Sequence, residues 1–279
     1  MKPETRPSRH LRPYFQGTHP LAFAHRGGSR LWPENTMPAF RRAVEMGYEY
    51  IETDIRTSRD GVIVTIHDDA LDRATDGSGL VSAHTIAELK RFDAGYRFSP
   101  DGGKTYPFRG QGVTVPTLAE VVEAFPDLRL NVEIKQTEPP LVDALIAFIE
   151  ERRLHDRVLV ASFHDDVMAV FRERTGGTVA TSPALREGRR FWLASRAGLT
   201  RLVRAPYDAI QVPVRYGRFT LVDGRFLRAA HRRGLEVHVW TVDEPEEMRR
   251  LLALGVDGLM SDRPDLLFEV LGRSAPGRE

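Results

Sequence analysis

Short apolar segments rich in Val and Ile alternate along this chain with longer segments of helical periodicity, and that rhythm constrains the fold more than any other feature. Strands are predicted at 21–25, 50–55, 129–134, 158–162, 178–181, 208–212, 236–240 and 256–260. Helical segments predicted at 36–46, 140–153, 165–175, 218–233 and 245–254 follow most of them. Eight strands so spaced predict an α/β protein, a closed parallel TIM (β/α)8 barrel. A doubly wound open sheet would need a phosphate-binding glycine loop after an early strand, and neither G-x-G-x-x-G nor G-x-x-x-x-G-K-[ST] is there. The 279 residues suit one such domain, because a barrel fills roughly 250 residues with a single core. We read residues 1–18 as an N-terminal arm and 19–279 as one barrel domain.

Two departures from the rhythm are informative. A strand at 62–66 follows the turn signal Asp60-Gly61 and predicts a hairpin folding back on the end of strand two, returning the chain to the barrel rim at His67. Beyond it, 69–115 is dense in Gly, Asp, Ser and Pro, with a helical pattern only at 86–92. This reads as an insertion after the second strand that lies over one side of the barrel mouth, where βα loops shape a pocket.

The strand alternation also aligns the chemistry. In Tyr50-Ile51-Glu52-Thr53-Asp54-Ile55, Glu52 and Asp54 fall on one side and the isoleucines on the other. In Leu130-Asn131-Val132-Glu133-Ile134-Lys135, Asn131, Glu133 and Lys135 share a side. Three carboxylates converging in a partly buried site repel one another unless a cation neutralises them. The chain has no cysteine, which removes thiolate nucleophiles, zinc knuckles and iron–sulfur clusters. An all-oxygen set then favours one hard divalent ion, Mg²⁺ or Ca²⁺; the alternative is that each acid pairs with an arginine. His25 ends strand one and His67 ends the returning hairpin, so two imidazoles reach the same rim as a potential proton donor and acceptor. Arg26 with Gly27-Gly28, and Lys135, suit an anionic group.

The formal charge is +1, which gives no electrostatic reason to bind nucleic acid or an acidic surface in general. Residues 1–20 hold no apolar run of signal-peptide length and no stretch approaches a bilayer span, pointing to a cytoplasmic protein.

Taken in order, Ala24-His25-Arg26-Gly27-Gly28, Pro33-Glu34-Asn35-Thr36, Glu52-Thr53-Asp54, His67-Asp68, Val132-Glu133-Ile134-Lys135, Trp240-Thr241-Val242 and Ser261-Asp262-Arg263-Pro264 resemble the glycerophosphodiester phosphodiesterase family over about residues 20 to 270. The resemblance implies a TIM barrel carrying an insertion after its second strand. It implies a metal-dependent phosphodiesterase that hydrolyses glycerophosphodiesters to glycerol 3-phosphate and an alcohol. His25 and His67 would be the acid–base pair, Glu52, Asp54 and Glu133 the metal ligands, and Arg26 and Lys135 phosphate-binding residues. Which histidine is acid, and whether water or the substrate's own hydroxyl attacks, stays open.

Trp240 is expected to turn inward at the mouth, as an apolar wall or a cation–π partner for a choline head group. Glu34 and Asn35 are expected to cap the helix from Thr36 or to hold the first loop near the metal, and Asp165 to cap the helix it begins. The segment 186–204 interleaves arginines with Phe191, Trp192, Leu193, Leu199 and Leu202. It reads as an outer barrel helix with a solvated arginine face, or as a transient lipid-surface contact that would bring in lysophospholipids and a lysophospholipase D activity. A barrel that binds phosphodiesters without turning them over is the remaining alternative; it has no need of paired histidines.

Overall fold

The structure, a computed structural model, describes residues 12–274; residues 1–11 of the N-terminal arm and 275–279 lie outside the described residues. Eight parallel strands, β1 (Leu21–His25), β2 (Tyr50–Thr57), β4 (Arg129–Ile134), β5 (Val158–Ala161), β6 (Ala180–Thr181), β7 (Ala209–Pro213), β10 (Glu236–Trp240) and β11 (Gly258–Ser261), line up as β6-β5-β4-β2-β1-β11-β10-β7. The two ends of that row meet at a seam bridged by Asp208. Its amide donates to the Thr181 carbonyl at 2.9 Å, and its carboxylate accepts the Thr181 amide at 3.0 Å. The result is a nearly closed TIM barrel.

Alternation decides which side chains meet helices and which fill the barrel. Ile51, Ile55, Val132, Ile134, Val237 and Val239 are buried in the layer shared with the helices, while Glu52, Asp54 and Asn131 are buried on the inner side of the same strands. The helices are α1 (Met37–Glu45), α3 (Leu118–Ala124), α4 (Val142–Glu151), α5 (Asp165–Thr175), α6 (Leu185–Ala197), α7 (Gly224–Arg232), α8 (Pro245–Leu254) and α9 (Pro264–Leu271). Local chemistry sets their starts. Thr36 caps α1, a Thr117–Glu120 capping box opens α3, and the Asp223 carboxylate accepts the Phe226 amide at 2.8 Å to begin α7.

The floor of the barrel is filled from the N-terminal side. Pro13–Phe15 forms a 3-10 turn that buries Tyr14 and Phe15 against Leu21, Phe23, Tyr50, Leu159 and Met260. Arg12 closes the seam from below, its Nε donating to Asp208 at 2.7 Å and its other nitrogens to the Gly177 and Thr178 carbonyls. Part of the stretch read as an arm is therefore barrel core.

β2 runs on into an antiparallel pairing with β3 (Ile63–Thr65), giving the expected hairpin. Between β3 and α3, the insertion holds the short α2 (Ile86–Leu89) and packs Leu71, Val81, Leu89, Val113 and Val115 into a small core of their own with Val64 and Ile66. Two expectations need correction. The helix expected over 218–233 begins only at Gly224. Tyr216 and Phe219 instead face each other in a two-stranded hairpin, β8 (Arg215–Tyr216) with β9 (Phe219–Thr220), turned at Gly217. Gly217 adopts φ +56°, which a helix cannot use, and Asp223 supplies the cap further on. Asp165 does not cap α5: His164 holds that position without a side-chain bond, and the Asp165 carboxylate accepts the Arg186 amide at 3.1 Å, tying α5 to α6.

Candidate active site

Strand register assembles the site. β1 and β2 set His25 beside Glu52, and β2 and β4 set Glu52 beside Asn131 and Asp54 beside Glu133. These inward positions sit at the C-terminal ends of the strands, where a cavity of about 230 Å³ opens. Its walls include His25, Arg26, Glu52, His67, Glu133, Lys135, Phe163 and Trp240, so seven of the eight residues singled out from the sequence line one cavity. The eighth, Asp54, lies fully buried just behind them.

Glu52, Asp54 and Glu133 offer carboxylate oxygens all within 4.8 Å of one another. Arg26 and Lys135 reach into this cluster. Lys135 Nζ lies 3.0 Å from Asp54 Oδ1 and 2.8 Å from Glu133 Oε1, and Arg26 Nε lies 3.0 Å from Asp54 Oδ2. Burial opposes the charge of Asp54, but Lys135 and Arg26 outweigh it and hold the carboxyl below its ordinary range. Glu52 fares otherwise. Burial, and then the charge of Asp54, push its carboxyl up to about 8. Asp54 Oδ1, though buried, has the Lys135 ammonium as its partner and no well-aligned hydrogen bond. A crowded, buried set of carboxylate oxygens in which one carboxyl is driven towards protonation fits a hard divalent cation.

Each histidine is held at one nitrogen. Asp262 Oδ1 lies 2.6 Å from His25 Nδ1, and Asp68 Oδ1 lies 2.6 Å from His67 Nδ1. A carboxylate there fixes the proton on Nδ1 and leaves Nε2 as the working nitrogen; His25 Nε2 is 3.6 Å from Glu52. Burial works against a charge on His25, but Glu52 and Asp262 overcome it and lift the imidazole to about 8.

The Pro33-Glu34-Asn35-Thr36 loop braces these groups. Asn35, at φ +56°, donates from Nδ2 to Asp54 at 2.9 Å and accepts the Thr53 hydroxyl at 2.7 Å, so it holds the first loop against the acidic cluster. Glu34 bridges Arg26 and Arg73, and Arg73 in turn pairs with Asp68, linking the two histidine sides.

Trp240 stands at the mouth as expected, with Phe163 edge-on to it at 5.9 Å between centroids. Phe163 is about half exposed, a feature that strand alternation does not reveal because it lies beyond the end of β5. Sequence reasoning also misses the orienting roles of Asp262, Asp68 and Arg73. His67-Asp68 and Ser261-Asp262-Arg263-Pro264 carry the signal for the first two, whereas Arg73 sits in the insertion with no local pattern. In α6, Phe191 is buried in the core and the Trp192 indole donates to the Leu221 carbonyl at 3.3 Å, so these two aromatics face the protein.

A family model described as the glycerophosphoryl diester phosphodiesterase family matches residues 25–266. A probable glycerophosphodiester phosphodiesterase of Mycobacterium tuberculosis is 34% identical over 256 residues, covering 90% of each chain. A glycerophosphodiester phosphodiesterase of Caldanaerobacter subterraneus is 32% identical over 256 residues, covering 90% of this chain and 97% of the relative. The solved structure of an Oleispira antarctica phosphodiesterase in complex with the product sn-glycerol-3-phosphate aligns with a TM-score of 0.70 and 27% identity, over 91% of this chain and 97% of the other. By sequence, by architecture and by the order of its motifs, the chain belongs to the glycerophosphoryl diester phosphodiesterase family of enzymes.

Proposed function

We propose that this barrel hydrolyses water-soluble glycerophosphodiesters to glycerol 3-phosphate and an alcohol, with His25 and His67 as the acid–base pair. The observation that carries the reading is the paired fixing of two imidazoles by aspartates at 2.6 Å on the wall of one cavity that also holds three carboxylates. A phosphodiester repels nucleophiles and leaves behind a poor alkoxide, so its hydrolysis needs charge neutralisation, a proton acceptor and a proton donor. Arg26 and Lys135 on the cavity wall supply positive charge for the phosphate. One histidine takes the proton of the attacking hydroxyl and the other gives a proton to the departing alcohol, each presenting Nε2 while its aspartate steadies the ring.

Glu52, Asp54 and Glu133 would hold one divalent cation, Mg²⁺ or Ca²⁺, which when bound supplies Lewis-acid polarisation of a phosphoryl oxygen. Trp240 and Phe163 form the apolar side of the mouth, suited to the alcohol portion. The barrel, with the chain from Arg12 onward as part of its core, then serves as a single catalytic domain, the insertion at 69–115 braced to it through Arg73. The family match at residues 25–266 supports this, as does the glycerol 3-phosphate complex of the Oleispira protein.

The test is release of glycerol 3-phosphate from glycerophosphocholine and glycerophosphoethanolamine by chelated protein, before and after adding Mg²⁺ or Ca²⁺. Turnover restored by one ion and lost in His25→Ala and His67→Ala is the expected result. No release with any ion would sink the reading.

A further inference from the structure

β8 and β9 pair only with each other and stand outside the barrel sheet. Their two-residue turn sets Tyr216 directly opposite Phe219, so both rings project from one face of the ribbon, and they are 71% and 49% exposed. Phe219 leans on the partly buried Trp192 of α6 at 6.0 Å between centroids, and Leu193, the next residue of that helix, is exposed. Positive charge borders these side chains. Arg218, in the turn, lies 5.3 Å from the Phe219 ring, and neither it nor Arg189, one helical turn before Leu193, makes an ion pair among the described residues. Asp223, the acid that follows the hairpin in the chain, is engaged by Arg196, and Glu247 by Arg250.

Exposed paired aromatics next to unneutralised arginines match the headgroup boundary of a bilayer: rings enter the acyl edge, and guanidinium groups meet lipid phosphates. The hairpin springs from the C-terminal end of β7, the strand whose Gln211 lines the cavity, so anything docked on it lies beside the catalytic mouth. We infer that the β8–β9 hairpin is an interfacial anchor that docks the mouth of this barrel on bilayers carrying anionic lipid. The inference rests on the phosphodiesterase reading only for what docking delivers to the cavity, since binding to lipid is measured without turnover.

The test is co-sedimentation of the full chain with vesicles of phosphatidylcholine alone or mixed with phosphatidylglycerol, at low and high salt. Binding is expected to the mixed vesicles, to weaken with salt, and to fall by at least about tenfold in Tyr216→Ser/Phe219→Ser. Arg218→Glu should also weaken it. Both variants should release glycerol 3-phosphate from soluble glycerophosphocholine at the wild-type rate. Absence of binding, equal binding by the double variant, or a wild-type dimer that the double variant converts to monomer would overturn the inference. Loss of diester turnover in every protein with vesicle binding intact would instead overturn the proposed function alone.

Discussion

Asp262 grips His25 at Nδ1 across 237 residues of chain, at 2.6 Å, and accepts the Ser29 hydroxyl at 2.5 Å with the same oxygen. In the proposed reaction Asp262 touches no substrate and acts by setting the tautomer and tilt of the ring. Its replacement should therefore lower kcat more than it raises KM. We expect Asp262→Asn to cost roughly 10- to 100-fold in kcat. It should also lower the proton affinity of His25, because one of the two carboxylates that lift it is gone. Titration of the His25 ring by NMR in both proteins gives a readout that mere loosening of the fold would leave in place; an unmoved titration with wild-type kcat would remove Asp262 from the mechanism.

The acidic cluster makes a prediction that needs no activity. If Glu52, Asp54 and Glu133 bind one cation in the folded state, Mg²⁺ or Ca²⁺ should raise the melting temperature, with about 2.7 kcal/mol of stabilisation at a hundredfold excess over Kd. Glu133→Gln should remove most of that rise while leaving the metal-free melt near the wild-type value, because Glu133 is only half-buried. A Glu133→Gln protein that still gains as much from the ion would move the ligand set elsewhere.

Periodicity and adjacency are what the chain makes legible. Glu52 and Asp54 alternate with isoleucines whose partners are helices, so their shared direction is readable from residue order alone, and strand register then carries them to Glu133. The pairing of His25 with Asp262 is not readable in this way, since nothing local joins the first strand end to the last. The same holds for Arg12 and the seam it closes, and for Glu34 with Arg73, which depends on how the insertion lies. The helix expected from Arg218 fails for a physical reason: a spaced set of apolar residues after Gly217 satisfies helical periodicity, but the turn conformation of Gly217 and the Asp223 cap place the start later.

Tyr14 and Phe15 fill the barrel floor as a core layer would, and removing either ring should behave as a core truncation. Tyr14→Ala and Phe15→Ala are each expected to cost about 3–5 kcal/mol in urea unfolding. Arg12→Ala should cost less, on the order of 1–3 kcal/mol, since its guanidinium is part-exposed and the Asp208 backbone still bridges the seam. A loss below about 1 kcal/mol for both aromatic truncations would mean that the barrel closes without its plug.

The same floor should make the fold sensitive to alkali. Burial raises the phenol of Tyr14 well above its ordinary value, and burial likewise pushes Tyr50 up to about 12. Tyr50 also donates to the Tyr14 carbonyl at 2.5 Å and accepts the Gly17 amide at 3.0 Å, so its neutral form is built into the structure. The sign follows from linkage. Below about pH 10 both states keep the proton and stability does not depend on it; above that, the unfolded chain releases protons that the folded one retains, and stability falls as pH rises towards the folded value. Each such tyrosine contributes a slope of up to about 1.4 kcal/mol per pH unit. Urea unfolding between about pH 9 and 11 should show this decline. Tyr50→Phe, although less stable at neutral pH for want of its two hydrogen bonds, should lose stability more gradually over that range. A wild-type protein equally stable across the range, or a variant with the same slope, would show that the barrel floor admits the phenolate.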